Sequence, residues 1–147
     1  TSAIARYCGK ISGMYPTNNN FESAQIDQII DAAQDINFAV TLSGKDKDPI
    51  KKKLAREKLS QIHLPKWFQF LEDFLIENKN SKWFVGSSMT IADLAIWRLI
   101  GWLKSGLLEG VPTSIVDPYK NLVMMRDEIY KHPKIKEWMI IKYGKEI

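Results

Sequence analysis

The sequence predicts an all-α fold, a helical bundle, from the spacing of its apolar residues and from the β-structure signals that it lacks. Apolar residues recur at intervals of three and four in several segments, whereas alternation with a period of two never lasts more than a few residues. The 147 residues contain no Asn-Gly or Asp-Gly pair, the usual signal of a β-hairpin. No internal repeat of fixed period occurs, which argues against a solenoid.

Two helices are predicted in the N-terminal third of the chain. A short one begins at Ser2 and ends near Gly9 or Gly13, and the segment MYPTNNN that follows favours a turn. A long one begins at Phe21 and ends before the segment SGKDKDP. Its buried stripe is predicted by apolar residues at helical spacing, namely Ile26, Ile29, Ile30, Ala33, Ile36 and Val40.

Further helices are predicted along the rest of the chain. One opens near Pro49, because proline suits the first turn of a helix, and Pro65 is expected to kink or break it. A strongly periodic continuation then ends at about Glu77. Towards the C-terminus, a connection rich in glycine and proline leads to helices over residues 119–131 and 134–143.

The segment MTIADLAIWRLIGWL, residues 89–103, combines a marked helix start with an almost wholly apolar helix. If Thr90 is the N-cap, then Thr90 and Asp93 can each accept a hydrogen bond from the other's backbone N–H, as in a capping box. Apolar residues then occur on every side, which is typical of a helix buried in a core. A structural cap is therefore favoured over the alternative that Asp93 is a catalytic acid.

Charge and composition argue against several kinds of site. The net charge is +4 and the isoelectric point about 9.1, but the densest basic run, Lys51-Lys52-Lys53, has acidic residues on both sides, which favours a solvated helix face over a nucleic-acid surface. Cys8 is the single cysteine, and the two histidines are far apart in sequence, so neither a disulfide nor a metal site is expected. Charges interrupt every apolar run well before the roughly 18 residues of a membrane span. A reducing cytoplasm fits these features.

A row of carboxylates follows one face of the long helix. Asp27, Asp31 and Asp35 are spaced i, i+4 and i+8, so like charges lie next to one another on the helix surface. Two interpretations remain open from the residues alone. The row is either a solvated face or a site that receives a cation.

Several segments together resemble the cytosolic glutathione transferases. WFVGSSMTIADLAIW is similar to the family's Gly, then Ser/Thr-x-x-Asp, at the start of its central buried helix, and TSAIARY, MYP, LPKWFQFLEDFL and YKHPKIKEWM agree in order. The resemblance is to the sigma, mu, pi and alpha group, with sigma slightly favoured. It implies that residues 1–12 are the last helix of a truncated thioredoxin-like domain and that residues 13–147 form the all-helical C-terminal domain. The family's catalytic Tyr, Ser or Cys is then expected upstream of this sequence.

The resemblance also implies roles for particular residues. Thr1 is expected to bind the γ-glutamyl carboxylate of glutathione, with an ordinary N-cap as the alternative. Asp35 is expected to reach across a dimer interface towards the γ-glutamyl amino group bound to the other subunit, with weaker support for Asp31 as its neighbour. The electrophile site is expected to be lined by Phe38, Thr41 and Leu42 on the long helix and by Ile140, Ile141 and Tyr143 in the tail. The alternative for these residues is core packing.

The implied function is that of the C-terminal portion of a glutathione transferase, cytoplasmic and devoted to detoxification. Glutathione is the expected co-substrate and hydrophobic electrophiles the expected substrates, without a metal, a nucleic acid or a membrane as partner. The full-length protein is expected to be a homodimer, and the fragment alone to be inactive because catalysis needs both domains. The alternatives are a non-catalytic interaction module of a translation or multisynthetase assembly, which the basic isoelectric point mildly favours, and a ligand carrier.

Overall fold

The structure is a computed structural model and describes residues 1–79 and 81–144. In these residues the chain forms seven α-helices, one π-helical segment and no β-strand, so the all-α prediction is confirmed. The helices, in chain order, are α1 (Ser2–Ser12), α2 (Asn20–Ser43), α3 (Pro49–Lys58), α4 (Leu64–Glu77), α5 (Ile91–Leu103), α6 (Lys120–Lys131) and α7 (Pro133–Tyr143), with the π-helical segment Leu59–His63 between α3 and α4.

The helix boundaries follow local signals in the sequence. Asn19 caps α2 by accepting a hydrogen bond from the Glu22 N–H at 3.1 Å, and Asp48 caps α3 by accepting one from the Ile50 N–H at 2.9 Å. Gly13 ends α1 with a φ of 75°, a left-handed conformation that glycine adopts without strain. Gly9, the other predicted end of this helix, lies inside it.

The interruption expected at Pro65 takes the form of a π-helical segment. Residues 59–63 make wider turns immediately before Pro65, which then lies in the first turn of α4. Proline has no N–H to donate to the preceding turn, and its ring needs space there. A π-helical turn accommodates both the missing hydrogen bond and the ring. The backbone therefore continues from α3 into α4 without a loop.

The central helix α5 is buried on almost every side. It packs against α1, α2 and α6. Ala92, Ile96, Ile100 and Leu103 are completely inaccessible to solvent, whereas Arg98 is exposed. Among the described residues, no helix is both long and apolar enough to cross a bilayer.

The start of α5 forms the capping box that the sequence predicts, and the box also fixes the preceding loop. The Asp93 carboxylate accepts hydrogen bonds from the Thr90 N–H at 2.7 Å, the Thr90 hydroxyl at 2.9 Å and the Phe84 N–H at 2.9 Å. Asp93 itself is 0% exposed. Burial raises the pKa of Asp93 to about 6, although the hydrogen bonds from Phe84 and Thr90 act in the opposite direction. The Asp93 carboxylate therefore links the start of α5 to the loop that precedes it.

A buried glutamate of α4 caps the start of α6. Glu72 is 8% exposed, and its carboxylate accepts hydrogen bonds from the Asn121 N–H at 2.8 Å, the Asn121 side-chain amide at 2.8 Å and the Leu122 N–H at 3.0 Å. The first N–H groups of a helix have no partner within the helix, and the helix dipole favours a negative charge at this end. Glu72 therefore fixes α6 against α4 from a position 49 residues earlier in the chain.

Candidate functional site

The carboxylate row of α2 faces α1, and Arg6 of α1 pairs with two of its members. The Arg6 Nε lies 2.6 Å from an oxygen of Asp27, and its Nη2 lies 3.2 Å from an oxygen of Asp31. The Tyr15 hydroxyl donates a further hydrogen bond to Asp27 at 3.1 Å. The hydrogen bond to Asp27 raises the pKa of the Arg6 guanidinium above its usual value. The chain itself therefore supplies the cation for the first two carboxylates.

Asp35, the third member of the row, differs from the other two. It is exposed, and among the described residues no ion pair involves it. The two interpretations of the row therefore apply to different members of it. Asp27 and Asp31 are held within the chain, whereas Asp35 is accessible to a group from outside it, and its role in binding glutathione stays a prediction.

Thr1 occupies the N-cap position of α1 but does not cap it with its side chain. Its carbonyl accepts a hydrogen bond from the Ala5 N–H at 3.0 Å, while the hydroxyl makes no capping hydrogen bond. The residue is exposed. Its position and its uncommitted hydroxyl are compatible with anion binding at a helix start, which also stays a prediction.

An open groove lies between α2 and α5. Its volume is about 290 Å³, and it is lined by Asn37 of α2 and by Ala95, Arg98, Leu99 and Trp102 of α5. The small side chain of Ala95 leaves room between the two helices, Leu99 and Trp102 provide apolar surface, and Arg98 provides a positive charge. Such a groove can hold a small apolar molecule with a polar or negative substituent.

Similarity to known proteins identifies the family. A family model described as the C-terminal domain of glutathione S-transferase matches residues 34–140, which is well over half of the chain. The chain belongs to this family. Hematopoietic prostaglandin D synthase of Gallus gallus is 31% identical over 137 residues, which cover 93% of this chain and 63% of that protein. Glutathione S-transferase 3 of Caenorhabditis elegans is 27% identical over 145 residues, which cover 95% of this chain and 66% of that protein.

A solved structure gives the same fold. The prostaglandin synthase D of Nilaparvata lugens aligns with a TM-score of 0.83 and 25% sequence identity, over 97% of this chain and 67% of the other. The resemblance stated from the sequence is therefore confirmed, as is the bundle of the glutathione transferase C-terminal type. The chain spans a little under two-thirds of the length of these curated relatives.

The residues predicted to line the electrophile site lie in different places. Phe38 and Leu42 are exposed on α2, at 69% and 57%, and the Thr41 hydroxyl donates to the Asn37 carbonyl at 2.9 Å. None of these three lines the groove between α2 and α5. Tyr143, at the end of α7, packs edge-on against Trp138 with ring centroids 5.7 Å apart, and Ile140 and Ile141 are exposed on the same helix. Neither the groove between α2 and α5 nor another described cavity is lined by both the α2 and the α7 residues, and their role in the electrophile site stays a prediction.

Sequence reasoning missed the α5 side of the groove. Ala95, Leu99 and Trp102 were indistinguishable from core residues because the helix is apolar all round. Arg98 was the available signal, since it follows Asp93 as the only other charged residue of α5. A lone arginine in a buried helix must reach solvent or a cavity, and Arg98 lines the groove.

The outer face of α1 carries an apolar stripe. Ile4, Tyr7 and Ile11, spaced i, i+3 and i+7, are 67%, 67% and 70% exposed. The opposite side of the helix packs on α5, where Gly9 approaches Ile91 closely. Three large apolar side chains on one exposed helix face are typical of a surface that another element covers.

Among the described residues, no group of three or more His, Cys, Asp and Glu side chains is arranged to hold a metal ion.

Proposed function

We propose that this chain is the C-terminal part of a cytoplasmic glutathione transferase, which joins the thiolate of glutathione to hydrophobic electrophiles as a detoxification enzyme. The observation that carries the proposal is the apolar stripe of α1, formed by Ile4, Tyr7 and Ile11, because it fits a helix built to pack against a further domain. Membership of the family and the partial coverage of the curated relatives agree with it.

On this proposal, residues 1–12 belong to a thioredoxin-like domain and residues 13–147 to the helical domain. The catalytic hydroxyl or thiol resides in the thioredoxin-like domain, outside residues 1–12, and activates the thiol of glutathione by stabilising its thiolate. The whole protein is a homodimer. The 147-residue chain supplies the wall of the electrophile site and contacts to glutathione, and has no activity alone because the reacting atoms must be positioned by both domains.

Thr1 and Asp35 are the proposed contacts to glutathione. The exposed Thr1 hydroxyl and the start of α1 suit the γ-glutamyl carboxylate, and the exposed Asp35 carboxylate suits the γ-glutamyl amino group bound to the partner subunit. Arg6 supports this division of roles, because it neutralises Asp27 and Asp31 and leaves Asp35 as the carboxylate without an ion pair among the described residues.

The groove between α2 and α5 is the proposed binding site of the electrophile. Phe38, Thr41 and Leu42 lie further along α2, outside the lining of the groove, and remain proposed contacts to the electrophile. Tyr143 remains a proposed contact from the tail. The groove adds Ala95, Leu99 and Trp102 to the wall, and Arg98 as a group that orients a polar substituent.

A second candidate function is the isomerisation of a prostaglandin precursor. It is favoured by the names of two similar proteins, both prostaglandin D synthases. The same thiolate of glutathione would serve this reaction. The positive charge of Arg98 at the groove also suits the carboxylate of a fatty-acid-derived substrate.

The experiment compares the 147-residue chain alone with the same chain joined at Thr1 to a glutathione transferase thioredoxin-like domain that lacks its own last helix, because residues 1–12 supply that helix. Conjugation of glutathione to chlorodinitrobenzene, retention on immobilised glutathione and mass by light scattering are measured for both. We expect activity, retention and a dimer for the joined protein only. Full activity of the chain alone would overturn the proposal that the reaction needs both domains. An inactive joined protein that is folded and dimeric would instead favour the interaction module.

A further inference from the structure

The positive charge of the chain is concentrated in residues 45–58, which comprise the turn after α2 and all of α3. This segment contains seven lysine and arginine residues against three aspartate and glutamate residues, and its net charge of +4 equals that of the whole chain. Two of its acidic side chains, Asp46 and Asp48, accept hydrogen bonds at 2.9 Å from the backbone N–H groups of Asp48 and Ile50. The rest of the chain is therefore neutral in sum.

One side of α3 is fixed to the bundle. Arg56 lies against two turns, because a Cβ placed on Gly44 would be 2.6 Å from its Nη2 and one placed on Gly110 would be 3.0 Å from its Cβ. Lys52, one helical turn earlier, lies 3.6 Å from a carboxylate oxygen of Glu109. The side of α3 that carries Lys52 and Arg56 therefore faces the protein.

The opposite side of α3 carries two aliphatic residues that the described part of the chain leaves uncovered. Ile50 and Leu54 are one helical turn apart and are 71% and 60% exposed. At about 100° per residue, both point away from the side of Lys52 and Arg56. None of the 10 residues of α3 is buried. The helix therefore presents its aliphatic side chains to the surroundings and not to the core.

Lysines flank these two aliphatic residues on both sides. Lys51 and Lys58 lie on one side of them around the helix, and Lys53 lies on the other. All three lysines are exposed, and none takes part in an ion pair with the described residues. A lysine can lay its hydrocarbon stem along an apolar surface while its ammonium group reaches a polar layer. Helices that lie on anionic bilayers combine aliphatic and lysine side chains in this way.

The chemistry of this face favours an anionic membrane over other acidic partners. Single-stranded nucleic acids stack their bases on aromatic side chains, and residues 45–58 contain no aromatic residue. Phosphates of a duplex would attract the lysines but would give the aliphatic side chains no apolar contact. Ile50 and Leu54 project from one convex helix, which suits the deformable boundary between lipid head groups and acyl chains.

We propose that α3 and the turn before it form a peripheral docking surface for bilayers that contain anionic lipids. Ile50 and Leu54 enter the boundary between head groups and acyl chains, while the lysines contact the anionic head groups. With two aliphatic side chains inserted, binding is weak and reversible. The expectation that no membrane is a partner rests on the length of the apolar runs, which limits a helix that crosses a bilayer but not one that lies on it.

This docking surface does not depend on glutathione or on a preceding domain. The helix α3 packs on α2 and on the π-helical segment, whereas α1, which carries the other exposed apolar stripe, packs on α5. The 147-residue chain alone is therefore the right protein for the test.

Co-sedimentation with vesicles of phosphatidylcholine, with and without phosphatidylserine, tests the proposal. We expect the 147-residue chain to bind the mixed vesicles, to bind them less as the salt concentration rises, and to bind pure phosphatidylcholine at least tenfold more weakly. No binding to the mixed vesicles, or equal binding to the two kinds, would overturn the proposal.

Two lysine pairs separate a local surface from a general effect of charge. Lys51→Gln combined with Lys53→Gln should weaken binding to the mixed vesicles about 25-fold, since each lysine near an anionic surface contributes about fivefold. Lys134→Gln combined with Lys136→Gln removes the same charge from exposed positions of α7 and should weaken binding less than about twofold. Equal losses in the two double variants contradict the assignment to α3.

The aliphatic pair has its own variants. Ile50→Gln combined with Leu54→Gln should weaken binding to the mixed vesicles at least tenfold, because the inserted apolar surface is lost while the charge is kept. Ile76→Gln changes a 54% exposed residue of α4 and should leave binding unchanged. Undiminished binding of the glutamine double variant would show that the attraction is electrostatic alone and would overturn the insertion of α3.

A fluorophore reports insertion directly. Cys8 is the single cysteine, so Cys8→Ser allows an environment-sensitive nitrobenzoxadiazole group to be attached through Leu54→Cys or, as a control, through Leu107→Cys at a 79% exposed position outside α3. We expect a blue shift on mixed vesicles for the label at position 54 only. An equal shift at position 107 contradicts the proposal. Tighter binding of the original chain to duplex DNA or to polyglutamate than to the mixed vesicles would also overturn it, in favour of a nucleic acid or a protein partner.

Discussion

The guanidinium of Arg6 in α1 lies 2.6 Å from the carboxylate of Asp27 in α2, in contact range of Asp31 as well. Close packing of Gly9 on Ile91 and a hydrogen bond from the Ile91 N–H to the Met14 carbonyl at 3.1 Å also hold α1 in place. The helix is therefore fixed to the bundle on one side while its apolar stripe stays exposed on the other. Its position does not depend on the domain proposed to cover that stripe.

Arg6→Gln should reduce stability by about 1 kcal/mol, because it removes the ion pair and leaves the like charges of Asp27 and Asp31 unopposed. The side chains of Arg6 and Asp27 are 26% and 36% exposed, so solvent screening keeps the effect modest. Urea unfolding of the 147-residue chain gives the value. Lys52→Gln is the control, since its 3.6 Å contact is to an 87% exposed Glu109, and it should have almost no effect. Equal losses in the two variants would contradict the role given to Arg6.

Asp35→Asn should leave the stability of the chain unchanged and raise the KM for glutathione about tenfold in the joined, dimeric protein. The carboxylate is exposed and pairs with no cation among the described residues, so the fold loses nothing. Steady-state kinetics at saturating electrophile provide the measurement, with kcat expected to change less than KM. Gln34→Glu is a neighbouring charge change on the same exposed surface and should not alter KM. An unchanged KM in Asp35→Asn would remove this residue from the proposed site.

Glu72→Gln should cost about 1–3 kcal/mol, because three hydrogen bonds to the start of α6 lose their charged acceptor and one meets an amide N–H instead. Thermal or urea unfolding measures the loss. Glu77→Gln removes an equal charge from the exposed end of the same helix and should change stability by less than about 0.5 kcal/mol. If the two variants proved equally stable, Glu72 would not be a functioning cap.

Asp93 should make the fold more stable as the pH falls. Its pKa is raised by burial to about 6 in the folded chain, from 3.8 without burial, so the folded state holds the proton more tightly. The resulting stabilisation is complete below about pH 3.8 and is lost as the pH rises through about 6. Between pH 7 and pH 5, the original chain should gain about 1 kcal/mol relative to Asp93→Asn, which does not titrate.

Urea unfolding of both chains at the two pH values measures that difference. Because Asp93→Asn also weakens the cap, carbon NMR of the Asp93 carboxyl in the original chain provides a second measurement. A midpoint near 4 would show that the hydrogen bonds from Phe84 and Thr90 outweigh burial, and the pH dependence would then be absent.

The features that the sequence predicted are those that depend on neighbouring residues. The Thr90–Asp93 box and the end of α1 at Gly13 involve residues within one or two turns, so spacing and residue type suffice. Glu72 and Arg6 act on groups 49 and 21 residues away. Their partners are set by how the helices pack, which periodicity does not reveal. The α5 wall of the groove was hidden for the same reason, because core and cavity residues of an apolar helix look alike.

The two helical glycines, Gly9 and Gly101, should respond in opposite ways to alanine. At Gly9 a Cβ would lie 2.9 Å from the Ile91 Cγ2 and 3.0 Å from the Tyr15 Cβ, so α1 would have to move away from α5. We expect Gly9→Ala to destabilise by about 1–3 kcal/mol despite the better helix propensity of alanine, because the core there is already filled. At Gly101 the nearest atom would be 3.9 Å away, so Gly101→Ala should gain up to about 1 kcal/mol. Thermal unfolding of both variants measures the contrast; a stabilising Gly9→Ala would mean that α1 is not held against Ile91 as the structure has it.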